Sequence, residues 1–224
     1  MEDIQVIREA GADTGKRVKI GIYGGTFDPI HLGHLISAES AYRICDLEKV
    51  VFIPAFDPPH KENRSKTASH RLEMLKLAIE DNDRFEIDER EIHSKEVNYT
   101  LNTILSLMDD RPDAQFYYLM GEDSLLQIAT WYKWEELLSL VDIAVIKRPN
   151  SQEIAFEDNN LEQRSFAEQL DFLRTKGYRI HVIDEFPVDI SSTKLRTYLQ
   201  EGVNVRYLIP DKVLNYIEKE GLYE

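Results

Sequence analysis

At 224 residues the chain can bury a substantial core, in one domain or a compact two. Its 42% hydrophobic and 30% charged composition is ordinary for a soluble globular protein. A formal net charge of −14 excludes bulk nucleic-acid binding, because neutralising a phosphate backbone takes clustered Lys and Arg; a polyanionic ligand must be drawn in by a local basic site. No run approaches the ~20 apolar residues that span a bilayer, Met1 opens no basic-then-apolar leader, and Cys45, the one cysteine, can form no internal disulfide. A reducing cytoplasmic setting without membrane or nucleic-acid partners is therefore expected.

Residues 1–17 are polar and read as a flexible leader to a single domain over 18–224. Val18, Ile20 and Ile22 alternate as a half-buried strand does, and Leu35, Ala38 and Tyr42 recur at helical spacing. Between them lies Gly24-Gly25-Thr26-Phe27-Asp28-Pro29-Ile30-His31-Leu32-Gly33-His34. A buried strand over 49–54, a loop over 54–67 and a helix from about Ser69 follow, the helix carrying Leu72, Leu75 and Ile79 on one face. A short strand is expected over 84–88. Thr100 is then placed to cap a helix with Leu101, Ile104, Leu105 and Met108 at helical spacing.

Further strands are predicted over 115–120, 142–146 and 178–183. Between them lie a helical region through Trp131 and Trp134 to Leu140, with a break at Ala129-Thr130 where the Trp131 ring could stand exposed, and a helix around Phe166, Leu170 and Leu173. Helical segments around 195–199 and 213–217 close the chain, within a C-terminal part of about 191–224. Strands alternating with helices in this way predict an α/β fold, a doubly wound parallel sheet covered on both faces. The glycine-rich stretch, 54–61, 121–123 and 190–196 all follow predicted strands, so they should meet at one sheet edge.

That edge carries the chemistry. A strand running into glycines and then a helix start makes a phosphate site: the glycines admit a ligand close to the backbone, and the helix end offers unpaired N–H groups. His31 and His34, three apart, project to one side, and Gly33 leaves room between them. Ile190-Ser191-Ser192-Thr193-Lys194-Leu195-Arg196 reads locally as a Ser N-cap on an ordinary helix, yet its hydroxyls and Arg196 would also bind a triphosphate tail. Pro58-Pro59-His60-Lys61 is a stiffened loop that pre-sets Lys61. Asp28 before Pro29 starts a turn, and Trp134 is expected in the core. No third or fourth ligand accompanies His31 and His34, so no zinc site is expected.

The first of these stretches resembles the H-x-G-H signature of the nucleotidyltransferase superfamily, and the second its I-S-S-T-x-x-R element; the resemblance implies a Rossmann-like fold. Pro-Pro-His-Lys, Asn98-Tyr99-Thr100, Gly121-Glu122-Asp123-Ser124-Leu125, Trp131-Tyr132-Lys133-Trp134, Arg148-Pro149 and Tyr207-Leu208-Ile209-Pro210 narrow it to the nicotinate mononucleotide adenylyltransferases, over roughly 18–217. Asn98 stands where that family usually has Ser, the 149–178 region is longer than usual, and the leader has no counterpart.

The resemblance implies adenylyl transfer from ATP to nicotinate mononucleotide, giving the dinucleotide and pyrophosphate in NAD synthesis. It implies catalytic roles for His31, His34, Lys61 and Arg196, and an ATP site of Gly24, Gly25, Thr26, Phe27, His31, Gly33, His34, Gly121, Asp123, Arg148, Ser191, Ser192, Thr193 and Arg196. A mononucleotide site of Gly25, Thr26, Lys61, Thr100, Trp131 and Tyr132 is implied too, with Trp131 stacked on the pyridine. Mg²⁺ should ride on the ATP phosphates, since no acidic cluster with metal-ligand spacing stands out. Pantetheine-phosphate adenylyltransferase, a cytidylyltransferase and a non-catalytic nucleotide sensor on the same fold are the alternatives, and homo-oligomer formation is left open.

Overall fold

The computed structural model describes residues 17–56, 65–94, 98–149 and 164–224. Among them, six strands form one sheet: β1 (Val18–Gly25), β2 (Lys49–Pro54), β3 (Phe85–Ile87), β4 (Ala114–Gly121), β5 (Asp142–Ile146) and β6 (Ile180–Ile183). The order is β3-β2-β1-β4-β5-β6 and every neighbouring pair is parallel. Strand order reverses between β1 and β4, where Ile22 pairs with Tyr118. Ligands of open parallel sheets bind at such a reversal, beyond the carboxyl ends of the strands.

Strand alternation sorts the core into two layers. Ile20, Ile22, Val51, Phe116, Tyr118, Ile143 and Val145 face one side. They are covered there by α3 (Thr100–Asp110), α4 (Glu122–Leu126), α5 (Trp134–Leu140) and α6 (Phe166–Thr175). Val50, Phe52, Tyr117, Leu119 and Ala144 face the other, under α1 (Leu32–Ile44), α2 (Ser65–Ile79), α7 (Ser192–Gln200) and α8 (Asp211–Glu220). The apolar stripe of α8, Val213, Leu214 and Ile217, is buried in that second layer, each side chain contributing roughly 1.5–3 kcal/mol. Both faces are thus covered, as the alternation of elements predicts.

Several boundaries differ from the sequence reading. β1 runs on through Gly24 and Gly25, which pair with Ile53 and Pro54 of β2, so the turn begins only at Thr26. α1 starts at Leu32, within the motif, because His31 caps it. The N-cap of α3 is Tyr99, not Thr100, and Leu107 is buried where Leu105 stays 40% exposed. The break expected at Ala129-Thr130 is present, but it is wider than one turn: α4 ends at Leu126, a 3-10 turn covers Ile128–Thr130, and Lys133 turns the chain in the left-handed region (φ 47°) into α5. Cys45 is the buried C-cap of α1, and burial pushes its thiol up to about 11, which makes it an inert core residue.

Candidate active site

The turn between β1 and α1 is held from behind. Arg71 of α2 is only 1% exposed, and its guanidinium donates to the Thr26 carbonyl at 2.6 Å and the Ala55 carbonyl at 2.8 Å. One buried cation therefore fixes the glycine-rich turn to the end of β2. Phe27 adopts a left-handed backbone (φ 48°) and drives its ring into the core against Tyr23, His34 and Phe52. Its expected contribution to a nucleotide site can only come from backbone. The Asp28-Pro29 peptide bond is cis.

His31 and His34 close a reciprocal cap on α1. The His34 N–H donates to His31 Nδ1 at 3.4 Å, and the His31 N–H donates to His34 Nδ1 at 3.3 Å. Both Nδ1 atoms are acceptors, so the ring proton of each sits on Nε2. The rings stack with centroids 3.7 Å apart. A side chain at Gly33 would approach the His31 ring at 3.0 Å and Ile190 at 3.3 Å, so this glycine makes room first for the histidine. Burial, then the nearby Arg148 guanidinium, lowers His31 to about 4; burial, His31 and Arg148 hold His34 well below the usual imidazole range. Both rings are neutral Nε2–H donors at neutral pH.

This neutrality has a cost in acid. Below about 6.5 the unfolded chain takes up protons on these rings while the folded chain refuses them down to about 4 at His31, so stability falls as pH drops through that window, by up to ~1.4 kcal/mol per pH unit for each ring. Denaturant unfolding between pH 7 and 4.5 should show this slope, and His31→Gln/His34→Gln should flatten it. Parallel slopes for the two proteins would contradict the assignment.

Beyond the ends of β1, β4 and β5 opens a cavity of about 440 Å³. His31, Gly33, His34 and Thr26 line one wall, and Gly121, Asp123 and Arg148 another. Ser191, Ser192, Thr193 and Arg196, at the start of α7, close the third. Ser191 is the α7 N-cap, its hydroxyl accepting from the Lys194 N–H at 3.5 Å, so the plain capping role and the place in the cavity coexist. Ser192 Oγ donates to the Pro29 carbonyl at 3.0 Å, and Arg196 donates to the Asp28 carbonyl at 2.7 Å. These bonds lock α7 onto the β1–α1 turn across more than 160 residues of chain. Arg148 pairs with Asp123 at 2.9 Å. Gly24, Gly25 and Phe27, expected in the ATP site, are not among the residues lining this cavity.

Of the expected mononucleotide residues, Thr100 and Trp131 meet at Tyr118, beside Gly24. A Cβ at Gly24 would lie 2.9 Å from the Tyr118 hydroxyl, so the glycine admits that hydroxyl to the end of β1. Tyr118 in turn bonds Thr100, which lies one residue inside α3 and not at its cap position. Trp131, in the break after the 3-10 turn, meets the Tyr118 ring edge-on at 5.9 Å. Tyr132 stacks on Tyr99 at 4.4 Å, both rings half exposed. Trp134, expected in the core, is partly buried and packs against the core layer, as Trp131 does. Lys61, with Pro58-Pro59-His60, lies outside the described residues.

Three site residues escape a reading of the sequence: Arg71, Tyr118 and Tyr23, whose buried hydroxyl bonds Ser37 at the cavity wall. Arg71 alone left a signal, because it shares the apolar stripe of Leu75 and Ile79 at four-residue spacing.

Parallel strands with an H-x-G-H helix start opposite a basic α7 define a nucleotidyltransferase-type site, and residues 22–198 match the family described as cytidylyltransferase-like. Relatives refine that class. A "Probable nicotinate-nucleotide adenylyltransferase" of Aeromonas hydrophila is 39% identical over 206 residues, covering 91% of this chain and 96% of that protein. One of the same name from Desulfitobacterium hafniense is 40% identical, covering 92% and 95%. The Plasmodium falciparum nicotinic acid mononucleotide adenylyltransferase complexed with APC shares the fold, with a TM-score of 0.70 at 20% identity over 92% of this chain and 98% of that one. The chain belongs to the nicotinate-nucleotide adenylyltransferase family.

Proposed function

We propose that this chain transfers the adenylyl group of ATP to nicotinate mononucleotide, forming nicotinate adenine dinucleotide and releasing pyrophosphate. The observation that carries the reading is the pair of neutral Nε2–H donors on His31 and His34, set in one cavity with Arg196 and the Ser191–Ser192 turn. Family membership supplies the substrate class, and a solved relative from Plasmodium falciparum is described with NaAD bound.

A phosphate oxygen of the mononucleotide attacks the α-phosphorus of ATP; its new P–O bond forms as the bond to the β-phosphate oxygen breaks. The attacker is already an anion, so the protein need supply no nucleophile, and catalysis is positioning and charge stabilisation. His31 and His34 donate to the α-phosphate, where negative charge concentrates as the bonds exchange. Arg196, Ser191, Ser192 and Thr193 hold the departing pyrophosphate, and Lys61 offsets charge beside the attacking phosphate. Asp123 and Arg148 face the nucleoside. Thr100, oriented by Tyr118, gives the nicotinate carboxylate a hydroxyl donor, while Trp131 and Tyr132 cover the ring.

The donor set fits a cation held by phosphate and not by a protein cage. Asp28, Asp123 and Glu185 line the cavity; Arg148 pairs with Asp123, Arg43 with Glu185, and the Tyr223 hydroxyl donates to Asp28. Mg²⁺ carried on the ATP phosphates would supply charge neutralisation there. The test is a panel of acceptors with Mg-ATP, read as pyrophosphate: nicotinate mononucleotide, nicotinamide mononucleotide, phosphopantetheine and none. Nicotinate mononucleotide should give the highest kcat/KM. A higher value with phosphopantetheine, or no release with any acceptor, would reject the proposal.

A further inference from the structure

The chain after α8 returns to Asp28 in the β1–α1 turn, a residue that lines the cavity. After α8, Gly221 turns the backbone in the left-handed region (φ 59°), and the Leu222 N–H returns to the Ile217 carbonyl at 3.0 Å. Tyr223 follows, itself left-handed (φ 68°), a conformation a tyrosine adopts only when its surroundings hold it there. What holds it is the core layer under α8 and one hydrogen bond: the Tyr223 hydroxyl donates to Asp28 Oδ1 at 2.5 Å, across 195 residues of chain. Burial and the Asp28 carboxylate push the hydroxyl far above the usual tyrosine range, so it remains a donor at every working pH.

Asp28 is a liability where it stands. Its carboxylate lines the cavity, and its other oxygen lies 3.8 Å from Arg196, at the outer limit of ion pairing. Arg196 already donates to the Asp28 backbone carbonyl at 2.7 Å and to Thr193 Oγ1 at 3.4 Å. A carboxylate swung fully onto this guanidinium would compete with any incoming phosphate for the same fork of donors. From this arrangement we infer that Tyr223 is a positioning residue for ATP: its hydroxyl draws the Asp28 carboxylate aside and leaves the Arg196 guanidinium to the outer phosphates. The inference rests on the reading of Arg196 as the pyrophosphate-binding group.

The experiment is a cycle of Tyr223→Phe and Asp28→Asn, with KM resolved for each substrate. Tyr223→Phe removes only the hydroxyl and keeps the buried ring. It should raise KM for ATP about tenfold, the scale of one charge-assisted hydrogen bond, with kcat and KM for the mononucleotide changed less than about twofold. Asparagine at position 28 cannot compete as an anion, so in the Asp28→Asn background Tyr223→Phe should alter KM for ATP less than about twofold. An unchanged KM in Tyr223→Phe, equal losses for both substrates, or a full effect persisting in the Asp28→Asn background would each overturn the inference. Arg196→Ala separates the two levels. If it leaves KM for ATP unchanged, the phosphate reading itself fails; if it raises KM while Tyr223→Phe does not, only the role of the tyrosine fails.

Discussion

His34→Ala should lower turnover at least ~10²-fold with the fold intact, the scale seen when one transition-state donor is removed. The expectation follows from the reciprocal cap, in which His34 Nδ1 is occupied by the His31 N–H and only Nε2–H remains to face the reaction. Truncation removes that donor and also frees the His31 ring from its stacking partner at 3.7 Å, so kcat should suffer more than KM. His34→Gln is the informative companion. Its amide carries both an acceptor for the His31 N–H and a donor for phosphate, and it should recover part of the loss. Steady-state kinetics with circular dichroism as the fold control decide the matter; near-normal turnover in His34→Ala would remove the residue from the mechanism.

Arg196→Ala should reduce kcat/KM for ATP about 10²-fold and weaken pyrophosphate in the reverse reaction, while binding of the mononucleotide stays close to wild type. The guanidinium sits at the cavity wall formed by α7, on the opposite face of the sheet from Thr100 and Trp131, which is why the two substrates should respond differently. Arg196→Lys should restore only part, because an ammonium cannot serve the Asp28 carbonyl, Thr193 and a phosphate from one planar fork. Equal losses for both substrates would instead report that α7 has come away from the β1–α1 turn.

The two phosphate elements were legible in the sequence because each is local: a strand, glycines, a histidine cap and a helix start occupy seventeen consecutive positions, 18–34, and the Ser-Ser-Thr turn with Arg196 occupies six. The sheet was legible for the same reason, since each strand announces itself within a few residues. What stayed hidden is what distant segments do to one another. Thr100 has the right chemistry for an N-cap, and nothing nearby in sequence says that Tyr99 takes the cap position while the Thr100 side chain bonds Tyr118. Gly33 reads as space for a phosphate, yet its hydrogen points at the His31 ring. Tyr223 carries no local signal, and only the path of the chain after α8 brings it to Asp28.

The measurement closest to the central claim follows the fate of the α-phosphorus. With ATP labelled at the α-phosphate and nicotinate mononucleotide as acceptor, the label should appear in the dinucleotide in step with unlabelled pyrophosphate; with ATP labelled at the γ-phosphate, all of the label should leave in pyrophosphate. Label from the γ-phosphate found on the acceptor, or α-label that never leaves ATP when the mononucleotide is added, would contradict the account.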